Sequence, residues 1–259
     1  LLLVGGVFNV VLVPQLIKHA RDADRGADYT SRLMTLGTLV MLAGTVVVML
    51  AAAPLMTALT RGWSPEKLEM ATVVALWCLP QVFALPIFSR DIFAYVGQGR
   101  LMEAGQDPYV DTISSLSNWF QLGADATWAD SETPYGPIFL WIEQAVVAIS
   151  GDMNPDLAIF LFRLVAVAGV ALIMVFVPLL ARRMGVNDAW AQWISVANPL
   201  FTISFVASGH NDALMVGLAL AGTWCALRAG QRGRRVLLLD HADEPGKKIL
   251  ISGGGRCNF

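Results

Sequence analysis

Charged residues and cysteines are both scarce in this chain. Only 15% of its 259 residues are charged, whereas 56% are hydrophobic. A soluble domain carries about a quarter charged residues, so the composition argues against an ordinary soluble fold. The net charge of −2 offers no basic surface to nucleic acid. The three cysteines are far apart and lack CxxC or metal-ligand spacing, which excludes a recognisable zinc or redox motif: Cys78, Cys225 and Cys257.

The apolar residues instead form blocks that approach the length of a membrane span. A spanning helix needs about 20 mostly apolar residues, because its backbone polar groups must be satisfied within the lipid. Six blocks fit this description: 1–17, 34–59, 71–88, 157–181, 190–207 and 213–227. The block 138–149 is shorter and contains Glu143, so we interpret it as an interfacial or re-entrant helix. The pattern predicts an all-α polytopic membrane protein with about six spans plus this interfacial helix.

Both ends of the chain differ from this pattern. The N-terminus lacks an initiator methionine and the basic region of a signal peptide, and it opens inside an apolar run, so we expect a truncated N-terminus. After residue 226, arginines precede a short β-type run, 236–239, and a glycine-rich end. We predict a short α/β-type fragment there.

The distribution of arginine and lysine predicts conflicting membrane orientations for the first third of the chain and for the rest of it. Cytoplasmic loops are enriched in these residues, so Arg182-Arg183 and the arginines from Arg228 onward should lie inside. The two intervening spans then place 209–212 outside, together with the acidic loop 89–137. Counting backward places 18–33, which contains four basic residues, outside as well. Either the first third has an unusual topology, or it does not belong with the rest.

Two polar sites between apolar blocks are candidates for chemistry. Asp91 follows a predicted span, where a partly shielded carboxylate can act as a general base, and Arg90 could bind a phosphate. From the pattern alone, a membrane boundary and helix cap is the preferred reading of these two residues. The trio His210-Asn211-Asp212 is either functional or a turn in which Asp212 caps the last helix. A metal site is not expected, because no third ligand is evident.

Several separated motifs occur in an order that suggests a family. They are Phe88-Ser89-Arg90-Asp91, Gln98-Gly99-Arg100, Asp107-Pro108-Tyr109, Pro134-Tyr135-Gly136-Pro137, Asn198-Pro199-Leu200 and Gly209-His210-Asn211-Asp212-Ala213-Leu214-Met215. With them, residues 85–224 resemble the polyprenyl-phosphate-mannose-dependent α-1,6-mannosyltransferases of the GT-C class.

This resemblance implies a multi-pass enzyme of the bacterial cytoplasmic (inner) membrane with an outward-facing site. Its partners would be a polyprenyl-phosphate-sugar donor, a glycan acceptor and membrane lipid, and it would need no cofactor. Asp91 matches the presumed catalytic base. The substrate-binding candidates are Arg90, Asp107, Tyr135, His210, Asn211 and Asp212, with Arg90 and His210 suggested for the phosphate by their charge.

The two ends of the chain suggest other families. Gly5-Gly6-Val7-Phe8-Asn9 and Val13-Pro14-Gln15-Leu16, with the block 34–59 and Leu79-Pro80-Gln81, make residues 1–83 resemble MviN-type lipid II flippases. Residues 226–259 resemble the start of a bacterial FAD-dependent flavoprotein reductase. In it, Asp240 and Gly253-Gly254-Gly255 would contact the cofactor. The GxGxxG turn that should precede this strand is missing, so no FAD binding is expected.

The sequence therefore predicts a mosaic of three parts. Residues 1–83 form a flippase-like fragment, 84–225 a mannosyltransferase-like region with the outer loop 89–137, and 226–259 a truncated FAD-binding-like fragment. Whether the mosaic is natural, engineered or assembled from fragments stays open. The leading hypothesis is a membrane mannosyltransferase. The alternatives are a lipid-linked precursor flippase or transporter fragment, and an inactive membrane scaffold or fusion.

Overall fold

The computed structural model describes residues 18–19, 24, 26–59, 63–84, 89–151 and 154–237 of the chain. The regular structure in these ranges is helical throughout, and no strand occurs there. A 3₁₀ turn covers Ile113–Ser115 and a π-helical turn covers Ile203–Ala207. The α-helices are α1 Ala27–Leu59, α2 Pro65–Val82, α3 Asp91–Glu103, α4 Ala126–Ala129, α5 Pro137–Ser150, α6 Pro155–Arg183, α7 Asp188–Ser195, α8 Pro199–Thr202 and α9 Asp212–Gln231.

Two of the described helices are long and apolar enough to cross a membrane, namely α6 with 29 residues and α9 with 20. Helix α6 begins where the Asn154 side chain accepts a hydrogen bond from the backbone N–H of Leu157 at 3.2 Å, and it ends on Arg182 and Arg183. At 1.5 Å per residue it is about 43 Å long, which exceeds a hydrocarbon core of about 30 Å. The predicted helices at 157–181 and 213–227 are thus confirmed, with slightly wider bounds.

The predicted single span at 190–207 is wrong. The chain there forms α7, then α8, and finally the π-helical turn. Pro199 causes the break, because a proline disfavours helical backbone at the residue before it. Asn198 adopts extended backbone and its side chain accepts from the N–H of Leu200 at 2.9 Å, so a new short helix begins at this point.

The remaining predicted segments have mixed outcomes. Helices α1 and α2 cover 34–59 and most of 71–88, and α5 confirms the short helix expected at 138–149. The block 1–17 lies outside the described residues. Helix α9 continues to Gln231, past the predicted boundary at 225/226, because no helix breaker stands there. The expected α/β-type fragment shows no strand in its described residues 226–237, and the rest of it lies outside the described part.

Glycines bring the main helices together at two crossings. A Cβ at Gly169 of α6 would lie 2.3 Å from the backbone nitrogen of Leu214 in α9, so only glycine permits this approach. On α3, a Cβ at Gly99 would lie 2.6 Å from the backbone oxygen of Glu143 in α5. These two crossings hold the N-terminal end of α9 against α6, and α3 against α5.

Candidate active site where α3 and α9 begin

Asp91 is the first residue of α3, and Arg90 is its N-cap. The backbone N–H of Asp91 donates to the Ser89 hydroxyl oxygen at 3.1 Å. A carboxylate in the first turn is favoured by the positive end of the helix dipole. The capping interpretation and the catalytic one are therefore compatible, since the same residues start the helix and leave the Asp91 carboxylate available.

The π-helical turn and the glycine after it position His210. The N–H groups of Ser208 and His210 donate to the carbonyls of Ile203 and Phe205 at 3.3 and 3.1 Å, each five residues back in the chain. Gly209 has a φ of +73°, which is a left-handed conformation that glycine adopts without strain. A Cβ at Gly209 would lie only 2.7 Å from the Ile92 side chain. The turn therefore packs directly on the residue next to Asp91.

The carboxylate of Asp91 and the imidazole of His210 form a pair. Nδ1 of His210 lies 3.2 Å from Oδ2 of Asp91, and the two side chains are 20% and 28% exposed. A bond from Nδ1–H to the carboxylate fixes the tautomer and leaves Nε2 free for another ligand. Both groups remain partly accessible, so a substrate can reach them. This arrangement suits proton transfer from a hydroxyl.

An aromatic cluster forms a wall beside this pair. The Tyr95 ring is buried and packs edge-on against Tyr135, Phe139 and Phe162, with ring centroids 5.3, 5.0 and 5.4 Å apart. Burial raises the pKa of the Tyr135 hydroxyl, and the negative charges of the Asp91 and Asp212 carboxylates raise it further. Tyr135 therefore stays protonated and can serve as a hydrogen-bond donor at the site.

Asp107, another predicted substrate ligand, has a local role in the structure. Its Oδ1 accepts from the N–H of Tyr109 at 3.0 Å, and its own N–H donates to Oδ2 of Asp111 at 2.8 Å. The Tyr109 hydroxyl donates to the Tyr135 carbonyl at 2.9 Å, which connects this turn to the aromatic wall. Asp107 also lines an open groove of about 320 Å³ with Tyr109 and Trp141. Asp107 is therefore connected to the aromatic wall through Tyr109.

The other predicted residues lie at the edge of the site or outside the described structure. Arg90 is exposed. Hydrogen bonds from Thr127 lower the pKa of the Asp125 carboxyl, and the charge of Arg90 lowers it to a smaller extent. Asn211 is the N-cap of α9 without a capping bond from its side chain, and Asp212 is the first helical residue. Asp240, Gly253, Gly254 and Gly255 lie outside the described residues. No group of three potential metal ligands occurs in the described ranges.

Two buried charged side chains that the sequence did not assign to the site lie on α5 and α6, which pack against α3. Arg163 on α6 is fully buried. Glu143 is fully buried as well and faces Gln98, whose amide nitrogen, when turned toward it, donates to the two carboxyl oxygens at 3.2 and 3.3 Å. Thr133 lies 3.2 Å from the same Gln98 amide. The available signal was a lone charge within an apolar run, which is costly unless it has a role.

These features define a helical protein with potential membrane spans and a partly exposed carboxylate–histidine pair suited to general-base chemistry. The chain belongs to the family of α-(1→6)-mannopyranosyltransferase N-terminal domains, whose profile matches residues 1–242. That match includes residues 1–83, and the flippase resemblance of this part finds no support among the relatives.

Curated relatives agree with this family. An α-(1→6)-mannopyranosyltransferase of Mycobacterium tuberculosis is 41% identical over 156 residues, covering 59% of this chain and 26% of the relative. The α-(1→6)-mannopyranosyltransferases A of M. tuberculosis and Corynebacterium glutamicum are each 35% identical, over 191 and 150 residues. These matches cover 73% and 58% of this chain and 36% and 30% of the relatives. The chain thus spans about a third of the length of its curated relatives. No solved structure matches it.

Two shorter matches concern a different class of protein. A ribosomal RNA dihydrouridine synthase of Escherichia coli is 60% identical over 48 residues, which cover 18% of this chain and 12% of the relative. An E. coli protein named as an electron transfer flavoprotein-quinone oxidoreductase is 48% identical over 42 residues. The likeness to flavoproteins is thus confined to a short piece, and the predicted domain boundaries stay predictions.

Proposed function

We propose that this chain carries the catalytic part of a membrane mannosyltransferase. It would transfer mannose from a polyprenyl-phosphate carrier to a glycan acceptor on the outer face of the bacterial cytoplasmic membrane. The single observation that carries the proposal is the 3.2 Å contact between Asp91 and His210. It joins the first and last of the motifs that suggested this function.

The proposed reaction is a direct displacement at the anomeric carbon of mannose. Asp91 removes the proton from an acceptor hydroxyl, and the oxygen forms a bond to the anomeric carbon. The bond from that carbon to the phosphate oxygen breaks, and its electron pair leaves with the lipid phosphate. His210 orients Asp91 through Nδ1–H, and Arg90 supplies a positive charge for the lipid phosphate. The protonated Tyr135 hydroxyl can donate to a sugar or phosphate oxygen.

The dimensions of α6 support a site near the membrane surface. This helix exceeds the hydrocarbon thickness by about 13 Å, so part of it extends beyond the lipid. Its first turns pack against α3 and α5 through Ile159 and Phe162, in the cluster that also contains Tyr95. If Arg182 and Arg183 lie at the cytoplasmic side, the extension and the Asp91–His210 pair face outward. We include α1 and α2 among further spans of a multi-pass chain.

Transfer of labelled mannose tests the proposal. Membrane vesicles containing the chain receive polyprenyl-phosphate-[¹⁴C]mannose and a mannosyl acceptor, and labelled product is quantified. We expect transfer with the unaltered chain and none with D91N, although D91N still inserts into the membrane. E132Q is the matched control, because Glu132 is an exposed acid of the same loop. The proposal would be overturned if vesicles with the chain form no more labelled product than vesicles without it, or if D91N is fully active.

A further inference from the structure

Arg163 is a fully buried cation whose contacts are to backbone carbonyls. It lies in the first third of α6. Nη1 donates to the carbonyls of Val82, at 3.3 Å, and Ala84, and Nη2 donates to the carbonyl of Ala207 at 2.9 Å. No salt bridge to a carboxylate is found for it in the described structure, and its Nε has no hydrogen-bond partner there.

Burial of the Arg163 guanidinium costs free energy, because the group loses its hydration and carbonyl oxygens compensate for this loss only in part. A structural or functional role would account for its presence. A purely apolar residue would suit the interior of a helix that is otherwise almost free of charge. Arginine differs from lysine because its planar fork donates in several fixed directions at once, which lets one side chain hold separate pieces of backbone.

The carbonyls that Arg163 holds belong to the two segments that carry the proposed catalytic pair. Val82 is the last residue of α2, and Ala84 follows the C-cap Phe83, seven residues before Asp91. Ala207 ends the π-helical turn, three residues before His210. A second polar tie joins the same regions, since the Gln81 amide donates to the Thr202 hydroxyl at 3.0 Å. The two segments are far apart in sequence and meet at Arg163.

We propose that Arg163 is a positioning residue that holds the segments bearing Asp91 and His210 in register, so that these two side chains meet. The catalytic consequence rests on the proposed mannosyl transfer, whereas the positioning itself does not. Loss of Arg163 releases the carbonyl of Ala207 and the end of α2, and the Asp91–His210 distance is then no longer fixed.

Amide hydrogen exchange tests the positioning without reference to activity. Peptides covering 81–92 and 203–212 are compared in the unaltered chain, R163M and R163K, all in lipid nanodiscs. We expect faster exchange in both peptides for R163M and a smaller increase for R163K, with peptides from α5 unchanged. The control is Q192L, since the buried Gln192 amide also donates to a backbone carbonyl, that of Met174 at 2.9 Å, but away from the pair. Unchanged exchange in the two peptides of R163M overturns the proposal.

Kinetics of mannose transfer separate a positioning role from general instability. Displacement of the pair by about 1 Å should lower kcat by roughly 100-fold while the KM for the lipid donor changes little. In an H210Q background, R163M should cost much less than it does alone, because the pair is already broken. An equal cost in both backgrounds, or a loss explained by the amount of folded protein, overturns the proposal. If no variant transfers mannose, the proposed function fails and the exchange result still decides the role of Arg163.

Discussion

Oδ2 of Asp91 lies 3.2 Å from Nδ1 of His210, although the two residues belong to different helical regions of the chain. Their proximity predicts that they act as one unit. D91N should lower mannose transfer by about 10²–10⁴-fold, the usual contribution of a general base, and H210Q should lower it less. The double variant should be no slower than D91N, because substitutions of residues that act as one unit do not have additive effects on the activation free energy. Rates of labelled transfer per folded molecule check this, and multiplied losses would contradict it.

A second prediction concerns Gly209, which packs against Ile92 beside the same pair. G209A introduces a left-handed alanine and places a methyl group 2.7 Å from the Ile92 side chain. We expect a loss of about 2–4 kcal/mol in stability, from strain and overpacking together, with reduced transfer. G185A is the matched control, because Gly185 has a φ of +71° but open space around it, so only the strain of about 1–2 kcal/mol remains. The free energy of unfolding in detergent is measured for G209A and G185A. Equal losses of stability in the two variants would contradict the contact between Gly209 and Ile92.

The crossing of α6 and α9 makes a third prediction. G169A places a methyl group against the backbone of Leu214, so the helices must separate, at a cost of about 1–3 kcal/mol. G222A on α9 meets nothing within 4 Å and should stabilise the helix by up to about 1 kcal/mol. Thermal unfolding of the two variants should therefore shift in opposite directions. A neutral G169A would show that the helices are not in contact there.

Glu143 predicts a pH dependence. Helix α5 is shorter than a membrane span, and burial raises the pKa of the Glu143 carboxyl well above its ordinary value. The folded state thus favours the protonated Glu143 carboxyl. The contribution of this carboxyl to the free energy of unfolding is fully present below its unfolded-state pKa of about 4.3, and it is lost as the pH rises through its higher folded-state pKa. E143Q keeps the shape without this titration. Unfolding midpoints of the two proteins between pH 5 and pH 8 should diverge with rising pH, to the disadvantage of the unaltered chain.

The sequence predicted the long helices better than the broken ones. Uninterrupted apolar residues and clear end signals, such as Asn154 and Arg182-Arg183, define α6. By contrast, the block 190–207 is also apolar, and its composition gives no sign that the helix is interrupted. The interruption depends on the backbone restriction imposed by Pro199. The π-helical turn has no recognised pattern in its own residues, and its packing against α2 joins segments that are far apart in sequence.

The candidate site was predicted in part. Asp91 and His210 were named separately, as polar groups in apolar surroundings, and the structure brings them into contact. Arg163 was missed because it lies within the long apolar block 157–181, where one charge does not change the pattern. Its partners are backbone carbonyls, which carry no sequence signature. Asp107 was named for its motif, yet the geometry of its turn accounts for its hydrogen bonds.

The π-helical turn at Ile203–Ala207 contains one residue more than an α-helical turn would need. In an ordinary α-helix, deletion of one residue rotates everything that follows by about 100° around the helix axis. In this turn the same deletion would instead restore ordinary α-helical hydrogen bonds, so the residues that follow, His210 among them, would keep their direction. A single-residue deletion is therefore expected to be better tolerated between residues 203 and 207 than within an α-helical turn of α9.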